Sequence, residues 1–350
     1  MIRPTEIEMW EVELPLLRPL TTAGQRVDRR RITIVRLVNG SHTGWGEAAT
    51  YPGHTRDNPD EAWQLLLAES RRLLGAGDPV LIEGSAASAA IDQAITTLQA
   101  AAAGVSLAAH LGTPIEPSAS SVAIGLGSAP DVIGAVAAAN DAGYRHVKLK
   151  IAPGSLGTVE AVRNAFPDLG VAVDANASYR RADLEELEAM DRLALEYIEQ
   201  PLAAPNLQGH QVLRRRVTTP IVLDEAVHRL GDVVTIATAG AADGVAIKPG
   251  RLGPTLTMRA FALAQRHGLD VKVGGLVETG IGKHSLATLA AHEAVTLPND
   301  LAESNHWFAR DLVVPPWALD AEGMMLPRLA IEVDQSALVD RAVRHHRFRR

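Results

Sequence analysis

The sequence contains no cysteine. That excludes disulfides, thiolate catalysis and cysteine-bound zinc together. Positive charge is not in excess either. The formal net charge is −7, whereas a nucleic-acid binder normally carries a basic face. No run approaches the ~18 apolar residues of a membrane helix, and the first residues lack the charged-then-apolar pattern of a secretory signal. These absences set the expectation of a soluble cytoplasmic protein with neither a nucleic-acid nor a membrane partner. What is present is ordinary globular composition, 47% hydrophobic and 21% charged over 350 residues. That length is large for one core and suits a big barrel or two domains. The terminal His345-His346-Arg347-Phe348-Arg349-Arg350 is basic and reads as a frayed, solvated tail.

The organisation changes along the chain. Ile7–Leu14 and Arg31–Val38 alternate as strands, with a polar, Arg-rich loop over Thr21–Arg30 between them. Asn39-Gly40 is a turn signal before the strand-like Thr43–Ala48. From Asn58-Pro59-Asp60-Glu61 the period becomes helical, and the Ala-rich 84–112 segment carries Ile91, Ala94, Ile95 and Leu98 at helical spacing. After Pro117 short apolar runs alternate with helical stretches: Ser121–Gly125, Val147–Ile151, Val171–Asp174, Tyr197–Glu199, Ile221–Asp224, Val245–Lys248 and Val271–Val273. Strand–helix alternation at near-constant spacing predicts an α/β fold with a parallel sheet closed into a barrel.

Five of these runs stop at or beside an ionisable residue: Lys150, Asp174, Glu199, Asp224 and Lys248, at steps of 24, 25, 25 and 24. In a parallel barrel the C-terminal strand ends converge on one mouth, where active sites are built. Asp174, Glu199 and Asp224 offer only hard oxygen ligands, which selects Mg²⁺, or Mn²⁺ in its place, over zinc. Such an ion can take a substrate carboxylate and stabilise the charge left when its α-proton is removed. Lys148 and Lys150 share one face of their strand. Lys148 together with the metal is expected to lower the Lys150 pKa toward that of a useful base. Lys248, across the triplet, would address the opposite face of the bound carbon. A single strand-end Asp or Lys is more often a helix cap or a surface ion pair; five in register need a common cause. Asn176 shares its face with Asp174 and reads either as a supporting residue or as a polar loop residue. Glu225 should point away from the mouth. Arg251 could bind a substrate anion or cap a helix, and His284 and His306 read as surface residues.

Lys148-Leu149-Lys150, Val173-Asp174-Ala175-Asn176, Tyr197-Ile198-Glu199-Gln200-Pro201-Leu202, Leu223-Asp224-Glu225 and Ile247-Lys248-Pro249-Gly250-Arg251 together resemble the enolase superfamily. Within it they are similar to the muconate lactonizing subgroup, closest to the o-succinylbenzoate synthase / N-succinylamino acid racemase family. Gly274-Gly275-Leu276-Val277-Glu278-Thr279-Gly280-Ile281-Gly282 resembles that family's stretch after the seventh barrel strand, which brings Gly275 and Glu278 into the candidate site. The resemblance implies a modified TIM barrel, (β/α)₇β, over residues 116–315. It also implies an α+β capping domain from residues 1–115, with the tail 316–350 packing on it. Asp174, Glu199 and Asp224 would bind Mg²⁺; Lys150 would abstract the proton α to a carboxylate; Lys148 would stabilise the anion; Lys248 would shield it or act as second base. Cap loops near Leu20–Arg26 and Tyr51–Arg56 would close over the substrate.

Three departures from the family pattern concern specificity. The asparagine often found soon after Glu278-Thr279-Gly280 is replaced by Leu286 or its neighbours, Leu326–Ile331 stands where a Pro-Gly-rich signature is usual, and the cap loop reads Arg-rich. The leading expectation is an o-succinylbenzoate synthase, a menaquinone-pathway lyase acting on a small carboxylate. The alternatives are an N-succinyl- or N-acylamino acid racemase or dipeptide epimerase, then a muconate-type cycloisomerase. A metal-independent Schiff-base lysine would leave the three carboxylates unexplained. A homo-oligomer is compatible with all of these.

Overall fold

The computed structural model describes residues 2–21, 26–75 and 77–350. Its centre is a seven-stranded parallel sheet whose spatial order is its chain order: Ser121–Ile124, His146–Lys150, Gly170–Asp174, Ile198–Glu199, Ile221–Leu223, Gly244–Ile247 and Asp270–Val273. A short segment closes it. Asp300 N–H bonds to Val273 O (3.0 Å), while Asn299 accepts from Ser121 N–H (2.8 Å) and donates to Ala119 O (2.9 Å). Residues 297–300 therefore stand as the eighth, irregular strand between the seventh and the first. The predicted α/β barrel is borne out.

Side chains on these strands alternate between two layers. Val147, Leu149, Val171, Val173, Ile221, Leu223, Val245, Ile247, Val271 and Val273 face outward into the main core under the helices. The inward positions are different: Ala172, Tyr197, Val222 and Ala246 make a small apolar plug low in the barrel. Above it the inward faces are charged.

The N-terminal part forms an antiparallel sheet of Glu6–Thr21, Arg26–Asn39 and His42–Ala48, with Ala342–Arg349 added at the outer edge of the first strand. Two expectations are corrected here. Arg26–Arg30 belong to a strand rather than a loop. The basic terminus is not frayed, because its arginines meet acids along the neighbouring strand. Arg349 Nε lies 2.7 Å from Glu6 Oε2, His345 Nε2 3.0 Å from Glu8 Oε1, and Arg344 Nε 3.0 Å from the fully buried Glu11 Oε2. The residues 22–25 of the expected cap loop lie outside the described residues.

The Ala-rich segment is the helix Ala86–Ala103, capped by Ser85 and ended by Gly104 in the left-handed conformation (φ 68°). Its small side chains let it lie directly on the third strand: a Cβ on Gly44 or Gly46 would overlap the backbone carbonyls of Ala94 and Ala90. The same helix grips the barrel through Asp92, whose carboxylate accepts from Thr255 N–H and Oγ1, both at 2.8 Å. This contact occurs where the helix Pro249–Arg266 breaks at Gly253 (φ 74°), against whose Cα Asp92 leaves no room for a side chain.

Below the mouth, His210 fixes the turn that follows Glu199. Its Nε2 accepts from Leu202 N–H (3.2 Å), so its Nδ1 carries the proton and donates to Asn206 O (2.9 Å). Burial pushes its pKa down from 6.5 to about 4. A folded-state value below the unfolded one stabilises at and above pH 6.5, and that stability is lost as pH falls toward 4. Denaturation midpoints at pH 7 and pH 4.5 are expected to fall further for the wild type than for His210→Gln, by roughly 1–3 kcal/mol. Equal losses would show that His210 is not the titrating group.

Candidate active site

The charged inward faces meet at the C-terminal end of the barrel. Lys150 Nζ donates to Asp174 Oδ2 at 2.6 Å. Lys148 Nζ lies 3.0 Å from Glu199 Oε1, 3.3 Å from Asp174 Oδ2 and 2.9 Å from Asp300 Oδ2. Lys272 Nζ reaches Glu199 Oε2 (2.8 Å), Asp300 Oδ1 (2.9 Å) and Tyr197 OH (2.9 Å). Across the mouth Lys248 Nζ lies 2.8 Å from Asp224 Oδ2. A side chain on Gly274 would collide with Lys248, so glycine there leaves the lysine its path. All five residues of the 24/25-residue register thus stand at one mouth, Lys150, Asp174 and Glu199 in one ion network and Asp224 with Lys248 in another.

A cavity of about 400 Å³ opens on this network. Lys148, Lys150, Asp174, Asp224 and Lys248 line it; Glu199 is held behind them by two lysines and does not. Leu276, Val277, Leu286 and Trp307 make an apolar wall, and Tyr51, Gly53 and His54 descend from the cap.

The supporting residues fall into place one by one. Asn176 N–H donates to Asp174 Oδ1 (2.9 Å), and its side chain donates to Glu225 Oε1 (3.0 Å). Gln200 Oε1 accepts from Asp224 N–H (2.9 Å) and Ala226 N–H (3.1 Å). Arg251 is fully buried and does not line the cavity. It donates to Asp224 O (2.8 Å), Asp224 Oδ1 (3.1 Å) and His54 O (3.3 Å), so it holds the aspartate from behind the cavity lining. Gly275 and Glu278 line the cavity, with Glu278 Oε2 accepting from Leu276 N–H (2.7 Å). The cap locks this last loop: Glu47, buried and pushed up to about pKa 8 mainly by that burial, accepts from Thr279 N–H (2.9 Å), Thr279 Oγ1 (2.5 Å) and Gly282 N–H (2.8 Å).

Backbone strain is concentrated at this mouth. Asn176 (φ 42°), Ala177 (61°), Gln200 (38°) and Val277 (57°) all have left-handed conformations. For β-branched Val277 that conformation is costly and persists only where surrounding contacts enforce it.

Three readings from the sequence are corrected. Glu225 points into the cavity rather than away, because Asp224 already lies beyond the regular strand Ile221–Leu223 and strict alternation has ended. His284 is buried against Arg328 O (3.2 Å), and His306 is half-buried, edge-on to Tyr144 and Trp307; neither is a surface residue. Among the protein's own charges, burial pulls the Lys150 pKa down but Asp174 outweighs it and the pKa is raised; the lowering expected from Lys148 together with a metal concerns the cation-bound site. For Asp174, burial pulls its pKa upward, yet Lys150 and Lys148 hold it below the ordinary carboxylate range.

Lys272, Asp300, His54 and Lys283 were not singled out from the sequence. Lys272 was one more step of 24 beyond Lys248. The others carry no comparable signal.

The sequence model of the family described as Enolase C-terminal domain-like matches residues 131–337. The chain belongs to the enolase superfamily. It is 32% identical over 328 residues to an N-succinylamino acid racemase from Amycolatopsis sp, covering 88% of this chain and 89% of that one. It is likewise 32% identical over 335 residues to an o-succinylbenzoate synthase from Listeria innocua, with 90% and 89% covered. Among solved structures, an enolase-superfamily member from Listeria innocua superposes with a TM-score of 0.91 at 27% identity, covering 99% of both chains. As an enolase-superfamily enzyme of the synthase or racemase type, the protein has the architecture its strand-end register predicts.

The superfamily implies a divalent cation, and the residues fit one. Carboxylates from three successive strands supply hard oxygens. Asn176 Oδ1, Glu225 Oε2 and His54 Nδ1 are buried there without hydrogen-bond partners among the described residues. His54, Asp224 and Glu225 bring donor atoms within 4.8 Å of one another, a grouping that shares only Asp224 with the expected set.

Removing one member of a buried ion network leaves its partners uncompensated. Lys272→Met is therefore expected to lower unfolding free energy by about 3–5 kcal/mol in urea titrations. Lys150→Ala, at the cavity surface, should cost less. The reverse order would mean that Lys272 is not the keystone of the Glu199–Asp300 pair.

Proposed function

We propose that the enzyme is an o-succinylbenzoate synthase, removing the proton α to a carboxylate and expelling a hydroxyl from the β-carbon. The observation that carries this reading is that Lys150 and Lys248 line one enclosed cavity from opposite sides of a carboxylate cluster. The family relationship supports both this lyase and a racemase.

Asp174, Glu199 and Asp224 would hold Mg²⁺, for which Mn²⁺ could substitute. When bound, the ion neutralises the carboxylates and polarises a substrate carboxylate so that its α-proton becomes acidic. Everything else falls to the chain. Lys150 is the base; withdrawal of the Asp174 charge frees its lone pair. Lys148, behind it, stabilises the anion. Returning the proton to the departing hydroxyl forms water and resets the base, so that atoms and charge balance. Lys248 shields the opposite face. Arg251 and Gln200 fix Asp224 in position, and Asn176 fixes Asp174. The apolar wall of Leu276, Val277, Leu286 and Trp307 excludes water from the carbanion.

A second reading rests on the same two lysines. If both act as bases, the site racemises an N-succinyl- or N-acylamino acid or epimerises a dipeptide. Muconate-type cycloisomerisation would use the same proton abstraction without loss of water.

With Mg²⁺ and the cyclohexadiene precursor, the protein is expected to consume the diene absorbance. Lys150→Ala should lower that rate by at least ~10²-fold while keeping a cooperative thermal transition. Racemisation of N-succinyl amino acids with no change in diene absorbance would transfer the assignment to the racemase. Full turnover by Lys150→Ala would show that the base is misassigned.

A further inference from the structure

Three of the four lysines lining the cavity are neutralised inside the protein. Lys148 and Lys150 lie against Asp174, Glu199 and Asp300, and Lys248 against Asp224. The fourth, Lys283, is different. It projects from the helix Gly280–Ala290 after the seventh strand, is buried, and forms no ion pair among the described residues. Among the described residues its side chain makes one hydrogen bond, to the backbone carbonyl of Glu278 (3.2 Å), and its ammonium lies 5.8 Å from the Phe308 ring centroid. Residues 22–25, Thr-Ala-Gly-Gln, which lie outside the described residues, include no acid.

The acids around it are largely committed elsewhere. Asp311 accepts from Gly280 N–H (2.8 Å), Leu312 N–H (2.6 Å) and the Ser304 hydroxyl. Glu47 is taken up by Thr279 and Gly282, and Glu303 accepts from Leu319 N–H (2.9 Å). Glu278 keeps one carboxylate oxygen without a partner, but it lies outside ion-pair distance of Lys283. Burial lowers the Lys283 pKa, with Asp311 the largest opposing influence. A buried ammonium held to one carbonyl is incompletely satisfied, since it has three donors, and its desolvation is uncompensated.

We propose that Lys283 is the specificity residue that reads a second, distal carboxylate on the substrate. The α-carboxylate is claimed at the strand ends, where the carboxylate cluster and its lysines lie. An acyl chain running along the apolar wall of Leu286 and Trp307, and ending in a carboxylate, supplies the charge Lys283 lacks. The preferred substrate class is thus a dicarboxylate with an apolar link between its two anionic ends. This rests on the proposed function above and narrows it.

The test is a binding measurement in the presence of Mg²⁺, so it does not depend on turnover. By calorimetry, 2-succinylbenzoate and an N-succinyl amino acid are each compared with the analogue in which a methyl group replaces the terminal carboxylate. The wild type is expected to prefer the carboxylate-ended ligand by about 10- to 100-fold, the range of a charge-assisted hydrogen bond. Lys283→Met should remove most of that preference while changing the affinity for the methyl-ended analogue much less, and Lys283→Arg should restore it. A wild type that binds both members of a pair equally would overturn the proposal and leave the assigned reaction standing. Equal loss of both ligands in Lys283→Met with no rescue by arginine would also overturn it, by showing a structural role. Failure of the wild type to bind any of the four would remove the substrate class and the proposal together.

Discussion

The structure depends on balancing charge inside a barrel. Four lysines, Lys148, Lys150, Lys248 and Lys272, and four carboxylates, Asp174, Glu199, Asp224 and Asp300, occupy the interior beside and above the apolar plug. Each is expensive to take out of water alone, by several kcal/mol even after relaxation. Together they form chains: Lys150 to Asp174 to Lys148 to Glu199 to Lys272 to Asp300 and back to Lys148, with Lys248 and Arg251 dividing Asp224 between them. Such a network stabilises the protein less than an apolar core of the same volume would. Its presence at the strand ends is accounted for by the proposed chemistry, in which these groups would move a proton next to a carboxylate.

The cap completes the site as well as covering it. Glu47 secures Thr279 and Gly282, Arg30 donates to Thr50 O (2.8 Å) and Leu276 O (2.9 Å), and Asp92 holds the break in the helix that begins after Lys248. All three act on segments that carry cavity residues. The strained loop at Val277 lies between two of these anchors, and that enclosure is what holds a β-branched residue in a left-handed conformation.

Much of this was legible in the sequence, and the remainder was hidden for identifiable reasons. The strand-end register found Lys150, Asp174, Glu199, Asp224 and Lys248 because a parallel barrel converts even spacing along the chain into convergence in space. Lys272 continued the step but sits deeper, level with Ala246 rather than with Lys248, so it does not end its strand. Asp300 belongs to a segment with no apolar run, visible as a strand only through its hydrogen bonds to both neighbours. His54 comes from the cap, and nothing local says which barrel residues it will face. The basic terminus looked solvated because its partners Glu6, Glu8 and Glu11 lie more than three hundred residues away. Alternate residues of one strand met alternate residues of another, a match that appears only once the register is known.

The central claim is that Lys150 and Lys248 face the two sides of one α-carbon. The most direct measurement is NMR-monitored exchange of the α-proton in D₂O, using each enantiomer of an N-succinyl amino acid as probe, with Mg²⁺ and with the Lys150→Ala and Lys248→Ala variants. The account predicts that Lys150→Ala abolishes exchange of the enantiomer whose α-proton faces Lys150, while Lys248→Ala keeps that exchange; loss of the other enantiomer's exchange in Lys248→Ala would make Lys248 a second base and favour the racemase. Wild-type exchange of both enantiomers in Lys150→Ala would contradict it.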